Sequence, residues 1–184
     1  DTTRTLLGLG VAVFANLMAQ IWLALARGHR RLHWLPYATG TYDISVVTAV
    51  LALQALVDAP ASLNSVVVWC FYLFAIALTA LRHDGRLTLY VGSLAVAQYA
   101  LLVATVLALA PAPLLSIDHG AVTAADQGKR LVLLALMTLL TATLVYRMQR
   151  LIEMSGRDGL TGLPNSAWLM QRLPRLFDAA RNDG

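Results

Sequence analysis

The sequence predicts an all-α fold, a polytopic helical membrane bundle with about five transmembrane helices. Of its 184 residues, 58% are hydrophobic and only 13% are charged, whereas a soluble domain has about 25% charged residues. The apolar residues form runs close to the length of about 20 residues that a helix needs to cross the hydrocarbon core. Arginines and turn-forming residues separate these runs, so we expect the chain to cross a bilayer repeatedly.

Five apolar runs are the candidate spans. They cover residues 5–26, 42–59, 63–81, 87–110 and 131–146. Asp58 and Ser62 provide turn chemistry between the second and third runs, with Ser62 as the expected N-cap of the third helix. Asp84 and Gly85 predict a tight turn before the fourth run. The segment 114–127 is mixed in character, so we expect a loop or a short surface helix there.

Arginines in the connections predict the orientation of the bundle. Those on one side of the five spans are Arg27, Arg30, Arg31, Arg82, Arg86, Arg147, Arg150 and Arg157. Arg4, Lys129 and Arg130 fall on the other side. Because connections rich in Lys and Arg stay in the cytoplasm, we expect a cytoplasmic carboxyl terminus and an amino terminus outside.

The composition argues against nucleic-acid binding and against a disulfide framework. Nucleic-acid binding needs a clustered basic face, and the arginines here occur in short groups between apolar runs, so we expect no nucleic-acid partner. Cys70 is the single cysteine, which excludes an internal disulfide, and its place in an apolar run is typical of a small buried hydrophobic residue. Membrane lipid is therefore the first partner that the sequence predicts.

Polar and aromatic residues inside the predicted spans are candidates for binding a signal. They are Trp69, Tyr72, Gln98, Tyr99, Asn16 and Gln20. One hypothesis is that these side chains line a pocket for a small apolar or amphipathic molecule. The alternative is that they join the helices by hydrogen bonds and anchor them at the membrane surface, as amide and aromatic side chains commonly do in membrane proteins.

Histidines at the predicted inner face are candidates for metal or haem ligation. His29 and His33 are four residues apart and share a helix face if the first helix extends that far, a spacing that suits a metal ion. His83 lies between the third and fourth spans, at the same membrane face. The alternative is a hydrated cluster in which these histidines and the neighbouring arginines meet lipid phosphates.

The last span contains a heptad pattern. Alternating spacings of three and four residues relate Leu134, Met137, Thr141, Leu144, Met148, Leu151 and Ser155. Such a seam is typical of a coiled coil, and it continues past the expected membrane boundary at Arg147. The pattern predicts a parallel homodimer in which this helix joins the membrane bundle to the next domain without a flexible break.

A polar motif follows this helix, where the chain changes from apolar to charged. Gly162 permits a tight turn, and Pro164 suits the first turn of a helix. The segment from Asp158 to Asn165 resembles the start of the GGDEF domain, the catalytic domain of bacterial diguanylate cyclases. Members of that family most often have Arg where this chain has Ser166. The resemblance rests on Asp158, Leu160, Thr161, Gly162, Leu163, Pro164 and Asn165.

The resemblance implies three parts in this chain and a location in the bacterial inner membrane, as a multi-pass protein. Residues 1–146 would be the transmembrane sensory and anchor domain, residues 147–157 a cytoplasmic signalling helix, and residues 158–184 the start of an α/β GGDEF domain with its first helix. The family's Gly-Gly-Asp-Glu-Phe signature and its metal-binding aspartates are absent from the sequence. No catalytic residue is therefore assigned.

As a diguanylate cyclase, the full-length protein would be an enzyme that condenses two GTP molecules into cyclic di-GMP with Mg²⁺ or Mn²⁺. Each protomer of a homodimer would hold one GTP, and the 3′-hydroxyl of one nucleotide would attack the α-phosphate of the other while the metal ions neutralise the phosphates. A signal at the membrane bundle would reach the catalytic domain through the last helix. The alternative is a non-catalytic membrane receptor or scaffold with a degenerate GGDEF domain.

Overall fold

The protein is a helical bundle in which apolar helices predominate. The computed structural model describes residues 33–109, 115–116 and 120–155, together with Gly10, Leu17, Met18, Gln20, Ile21, Trp22, Ala24 and Leu173. The helices of this part, in chain order, are α1 (Leu35–Val57), α2 (Ala59–Asn64), α3 (Val66–Thr79), α4 (Gly85–Leu109) and α5 (Ala124–Ser155). Among the described residues, α1, α4 and α5 are long and apolar enough to cross a membrane. The predicted helical membrane class is therefore confirmed at this level.

Short elements connect these helices. A 3₁₀ turn, Ala80–Arg82, extends α3, and α3 together with this turn forms a shorter apolar helix. Between α4 and α5, the two-residue strands β1 (Leu115–Ser116) and β2 (Gly120–Ala121) pair antiparallel, with Leu115 opposite Ala121. The segment predicted as a loop or surface helix therefore contains a small hairpin.

The core lies where α1, α3, α4 and α5 meet, and α4 and α5 share the most extensive contact. Tyr72 and Tyr99 are its largest fully buried side chains, and their rings meet edge to face with centroids 5.7 Å apart. Aliphatic residues pack around them, and they include Ile44, Leu51, Leu63, Ile76, Leu87, Val91 and Leu134. The outward faces also carry large apolar side chains, as expected for helices that lipid surrounds.

Two helix starts lie seven residues earlier than predicted. Helix α1 begins at Leu35 rather than at Tyr42, since Pro36 suits its first turn and the hydroxyl of Thr41 donates to the carbonyl of Tyr37 within the helix. Helix α5 begins at Ala124 rather than at Leu131. Polar residues can therefore belong to the first turns of a helix when their side chains form hydrogen bonds within that helix.

Side-chain capping explains the start of α5. The hydroxyl of Thr123 donates to Asp126 Oδ2 at 2.6 Å, and the backbone N–H of Asp126 donates back to Thr123 Oγ1 at 3.1 Å. The second of these bonds satisfies one of the backbone N–H groups that a helix start otherwise leaves free, and the first holds the Thr123 hydroxyl in place for it. The first turn of α5 is therefore fixed at Ala124, seven residues before Leu131, where the predicted apolar span begins.

The third predicted span, from Leu63 to Leu81, is broken at Ser65. Helix α2 ends at Asn64, and Ser65 caps α3 by accepting from the backbone N–H of Val68. The N-cap predicted at Ser62 was wrong, because Ser62 lies inside α2 and its buried hydroxyl donates to the carbonyl of Leu51 at 2.6 Å. A hydroxyl that bonds to the neighbouring helix is unavailable for capping.

The turn before α4 lies one residue earlier than predicted. His83 adopts the left-handed conformation with φ 52°, and Asp84 caps α4 by accepting from the backbone N–H groups of Arg86 and Leu87. Gly85 is instead the first residue of the helix. It lies against the ring of Tyr146, so that a Cβ at Gly85 would come within 2.7 Å of that ring.

The heptad seam predicted for α5 is divided between two environments. Leu134 and Thr141 are buried inside the bundle, so other helices of the same chain already cover this half of the seam. Leu144, Met148 and Leu151 are exposed. The buried face of α5 does not follow the predicted heptad register. Beside Leu134 and Thr141 it contains Thr138 and Val145, where the heptad pattern has Met137 and Leu144. This buried face packs against the neighbouring helices.

Gly92 sets the distance between α4 and α5. A Cβ at this position would collide with the side chain of Thr138. Small residues at such crossings let helix backbones approach closely, which is how membrane helices gain packing energy without a hydrophobic driving force between them. The α4–α5 contact therefore depends on the absence of one methyl group.

We expect Gly92→Ala to lower the free energy of unfolding by about 1–3 kcal/mol, because the added methyl group overpacks the contact with Thr138. Gly128→Ala in α5 is the matched control, since nothing lies within 4 Å of a Cβ there. Thermal unfolding in detergent, followed by circular dichroism, measures both variants. Equal stability of Gly92→Ala and the wild type would contradict the close packing.

Candidate functional site

A hydrogen-bonded network of polar side chains joins α1, α3 and α4 in the core. Thr48 Oγ1 of α1 lies 2.7 Å from the hydroxyl of Tyr72 and 2.7 Å from Oε1 of Gln98. Nε2 of Gln98 donates to Ser45 Oγ at 3.0 Å. Side chains 24 and 50 residues away in the sequence therefore meet around Thr48.

Thr48 has one hydroxyl proton and several acceptors within reach. Its Oγ1 lies 3.0 Å from the carbonyl of Ile44 as well as 2.7 Å from Gln98. If Thr48 donates to Gln98, the Gln98 amide donates to Ser45. If the Gln98 amide turns over, its nitrogen donates to Thr48, Thr48 donates to Ile44, and Ser45 donates to the amide oxygen. The same heavy-atom positions thus accommodate two hydrogen-bond arrangements, with Tyr72 donating to Thr48 in both.

A second polar group ties α5 to the break between α2 and α3. The hydroxyl of Tyr99 donates to Gln127 Oε1 at 2.5 Å, and Nε2 of Gln127 donates to the carbonyl of Leu63 at 3.4 Å. Arg130 donates to the same carbonyl at 2.7 Å and to the carbonyl of Asn64 at 3.3 Å. The end of a helix leaves carbonyls without helical partners, and here side chains of α5 bind them.

Trp69 lies beneath the guanidinium group of Arg130. The guanidinium carbon is 5.5 Å from the centroid of the Trp69 ring, a cation–π geometry. The Trp69 side chain is buried, and its Nε1 has no hydrogen-bond partner among the described residues. The aromatic face, rather than the indole N–H, therefore provides the polar contact of this residue.

The structure brings together most of the predicted signal-binding residues. Tyr72 and Gln98 share the Thr48 network, Tyr99 packs on Tyr72, and Trp69 contacts the Arg130 group. Gln20 is helical and exposed, and Asn16 lies outside the described residues. The assembled side chains are buried or half-buried, and their hydrogen bonds join helices.

Sequence reasoning missed Thr48, Ser45, Gln127 and Arg130. Serine and threonine are ordinary in apolar helices because they bond to their own helix, so neither Thr48 nor Ser45 stands out in an apolar run. The one available signal was their spacing of three residues, which places both on one face of α1. Gln127 was placed at the end of a segment predicted to be a loop or a short surface helix, and Arg130 was interpreted only as an orientation signal.

A further aromatic pair links the first predicted span to α1. The rings of Trp22 and Tyr42 lie 6.0 Å apart, centroid to centroid, at an interplanar angle of 60°. Trp22 Nε1 and the hydroxyl of Tyr42 are buried and have no hydrogen-bond partner within the described part of the chain. The helical residues around Trp22 therefore pack against α1.

The candidate metal or haem ligands lie at the surface where the structure describes them. His33 and His83 are exposed, and His29 lies outside the described residues. The carbonyl of His83 accepts from Nε2 of Gln149 at 2.5 Å, which ties the turn before α4 to α5. In the described part of the chain, no group of three or more His, Cys, Asp or Glu side chains is arranged to hold a metal ion.

The GGDEF-like motif, from Asp158 to Asn165, lies outside the described residues, so its support comes from the sequence. No protein-family model, curated protein or solved structure matches the chain. The two connected polar groups, centred on Thr48 and on Gln127 with Arg130, are the candidate functional site. Together they contact every helix from α1 to α5, and the packing of Tyr72 on Tyr99 connects the two groups.

We expect Thr48→Val to lower the free energy of unfolding by about 1–3 kcal/mol, because the nearly isosteric side chain leaves the Tyr72 hydroxyl and the Gln98 amide without their shared partner. Thr143→Val is the matched control. Its hydroxyl is exposed and bonds only to the carbonyl of Leu139 in its own helix, so the change should stay within about 0.5 kcal/mol. Thermal unfolding in detergent checks both, and equal effects would contradict a linking role for Thr48.

Proposed function

We propose that the chain is the membrane sensory and dimerisation region of a diguanylate cyclase, an enzyme that makes cyclic di-GMP from two GTP molecules with Mg²⁺ or Mn²⁺. The chain would cross a bacterial inner membrane five times and end in the cytoplasm, where a GGDEF domain follows. The observation that carries this proposal is the motif from Asp158 to Asn165, placed directly after the last helix of a membrane bundle.

The length of α5 supports its role as the connection between membrane and catalytic domain. Its 32 residues run without interruption from Ala124 to Ser155, which gives a length of about 48 Å. The hydrocarbon core is only about 30 Å thick. A helix of this length crosses the core and projects well beyond it, and its last residue lies three positions before Asp158.

Two further helices bring the proposed number of spans from three to five. Helix α3 with its 3₁₀ turn is apolar although short, and it lies in the core of the bundle beside α4. The helical residues around Trp22 pack on α1 through Tyr42. An odd number of spans also agrees with the distribution of arginines in the connections.

The two polar groups offer a route from a bound signal to α5. A small molecule that competes for the hydrogen bonds of Thr48 or Gln98 would favour one of the two arrangements of that network. Tyr72 of the network packs on Tyr99, and Tyr99 bonds to Gln127 of α5. The exposed seam residues Leu144, Met148 and Leu151 would then contact a second copy, so that movement of α5 changes how two catalytic domains meet.

The proposal is tested with the full-length protein in membrane vesicles supplied with GTP and Mg²⁺. We expect cyclic di-GMP, and we expect a single alanine inserted after Gln149 to change the rate at least severalfold, because it turns the following helix by about a quarter of a turn. A seven-residue insertion restores the heptad register and serves as the control. GTP binding without product would instead favour the non-catalytic receptor, and equal rates for all insertions would exclude transmission through α5.

Reporter fusions test the proposed topology. We expect a green fluorescent protein fused after Ser155 to fluoresce and an alkaline phosphatase fused there to be inactive, since the arginines beside the end of α5 hold it in the cytoplasm. Fusions after Thr123 should give the opposite pair of results. Matching results at both positions would contradict a membrane crossing by α5.

A further inference from the structure

Basic residues at the two ends of α5 have different partners. At the amino-terminal end, Lys129 forms an ion pair with Asp126 at 2.8 Å. Arg130 donates to the carbonyls of Leu63 and Asn64 and lies over Trp69. The protein itself therefore supplies the partners of both cations at this end.

At the other end of the bundle, Arg82 donates to the carbonyl of Pro36 and to Thr39 Oγ1, but three further arginines lack such partners among the described residues. Arg86, Arg147 and Arg150 are exposed, and none of them has a carboxylate partner within residues 33–109 and 120–151. Asp84, the acid nearest to Arg86 in sequence, uses Oδ1 to accept from the backbone N–H groups of Arg86 and Leu87. This oxygen of the carboxylate therefore caps α4.

Two contacts gather these arginines around one junction between α4 and α5. Gly85 lies against the ring of Tyr146, and Gln149 donates to the carbonyl of His83. Arg86 directly follows Gly85 in α4. In α5, Arg147 directly follows Tyr146, and Arg150 directly follows Gln149. Long arginine side chains from both helices therefore start within a short distance of the same point.

We propose that this junction binds the headgroup phosphate of an anionic phospholipid. Guanidinium groups present paired N–H donors that match phosphate oxygens, and arginines beside the membrane surface attract anionic lipids over zwitterionic ones. Tyr146 is 44% exposed, as is common for tyrosines at the headgroup level. About one turn further into the membrane, exposed Leu89 offers an apolar surface to the acyl chains.

A bound lipid would join α4 to α5 at the point where α5 leaves the membrane. Its phosphate would neutralise arginines from both helices, so removal of the lipid would leave like charges facing one another across the junction. This inference requires a membrane-spanning bundle but not a catalytic domain. It therefore stands or falls separately from the proposed cyclase activity.

Native mass spectrometry of the purified chain, with phosphatidylglycerol or phosphatidylcholine of identical acyl chains, tests the site. We expect preferential retention of phosphatidylglycerol, weakened about fivefold for each arginine removed in Arg86→Gln and Arg150→Gln. Lys129→Gln is the matched control at the opposite end of α5 and should bind the lipid like the wild type. Arg86→Lys and Arg150→Lys keep the charge and should keep most of the preference.

Equal retention of both lipids by the wild type would overturn the proposal, as would unchanged binding in the glutamine variants. Circular dichroism of each variant separates loss of binding from loss of fold, and the lysine variants decide the outcome if a glutamine variant is unfolded. A last experiment adds inorganic phosphate in place of the lipid and measures the thermal stability of the protein. If inorganic phosphate raises the thermal stability as much as phosphatidylglycerol does, the site belongs to a soluble phosphate and the lipid assignment is wrong.

Discussion

The carbonyl of Leu63 is the group on which the arrangement of the helices most depends. The break at Ser65 interrupts an apolar stretch, and a free carbonyl in such surroundings costs several kcal/mol unless it is bonded. Gln127 and Arg130 of α5 both donate to it. Gln127 also accepts from Tyr99 of α4. The carbonyl of Leu63 therefore sets the position of α5 along the bundle axis relative to α4 and to the break at Ser65.

The sequence predicted where the apolar helices lie but not where they begin. Runs of apolar residues locate the centres of α1, α4 and α5, since only a helix satisfies the backbone in lipid. The starts depend on local hydrogen bonds that hydropathy does not register, such as the reciprocal pair of Thr123 and Asp126. The break at Ser65 was missed for a related reason: the side chains that satisfy its carbonyls come from α5, more than sixty residues away.

The candidate site was partly visible because amide and aromatic side chains are conspicuous in apolar runs. Tyr72, Gln98 and Tyr99 were found in this way. Thr48 was not, since a threonine that bonds to its own helix has no distinctive sequence pattern, and its two outside partners are set by how α1 packs against α3 and α4. The heptad pattern likewise did not identify the buried face of α5, because that face is set by how α5 packs against α3 and α4.

The shortness of α3 makes the bundle uneven in height. With the 3₁₀ turn Ala80–Arg82, α3 spans about 27 Å, against about 37 Å for the 25 residues of the neighbouring α4. If α3 crosses the bilayer, a core of about 30 Å must thin beside it or draw the polar ends of that helix inward. Hydrophobic mismatch would then act on the flank formed by α3 more than on the flanks formed by the longer helices. That flank adjoins the carbonyl of Leu63, which Gln127 and Arg130 bind, so membrane thickness would act on the bundle first at this place.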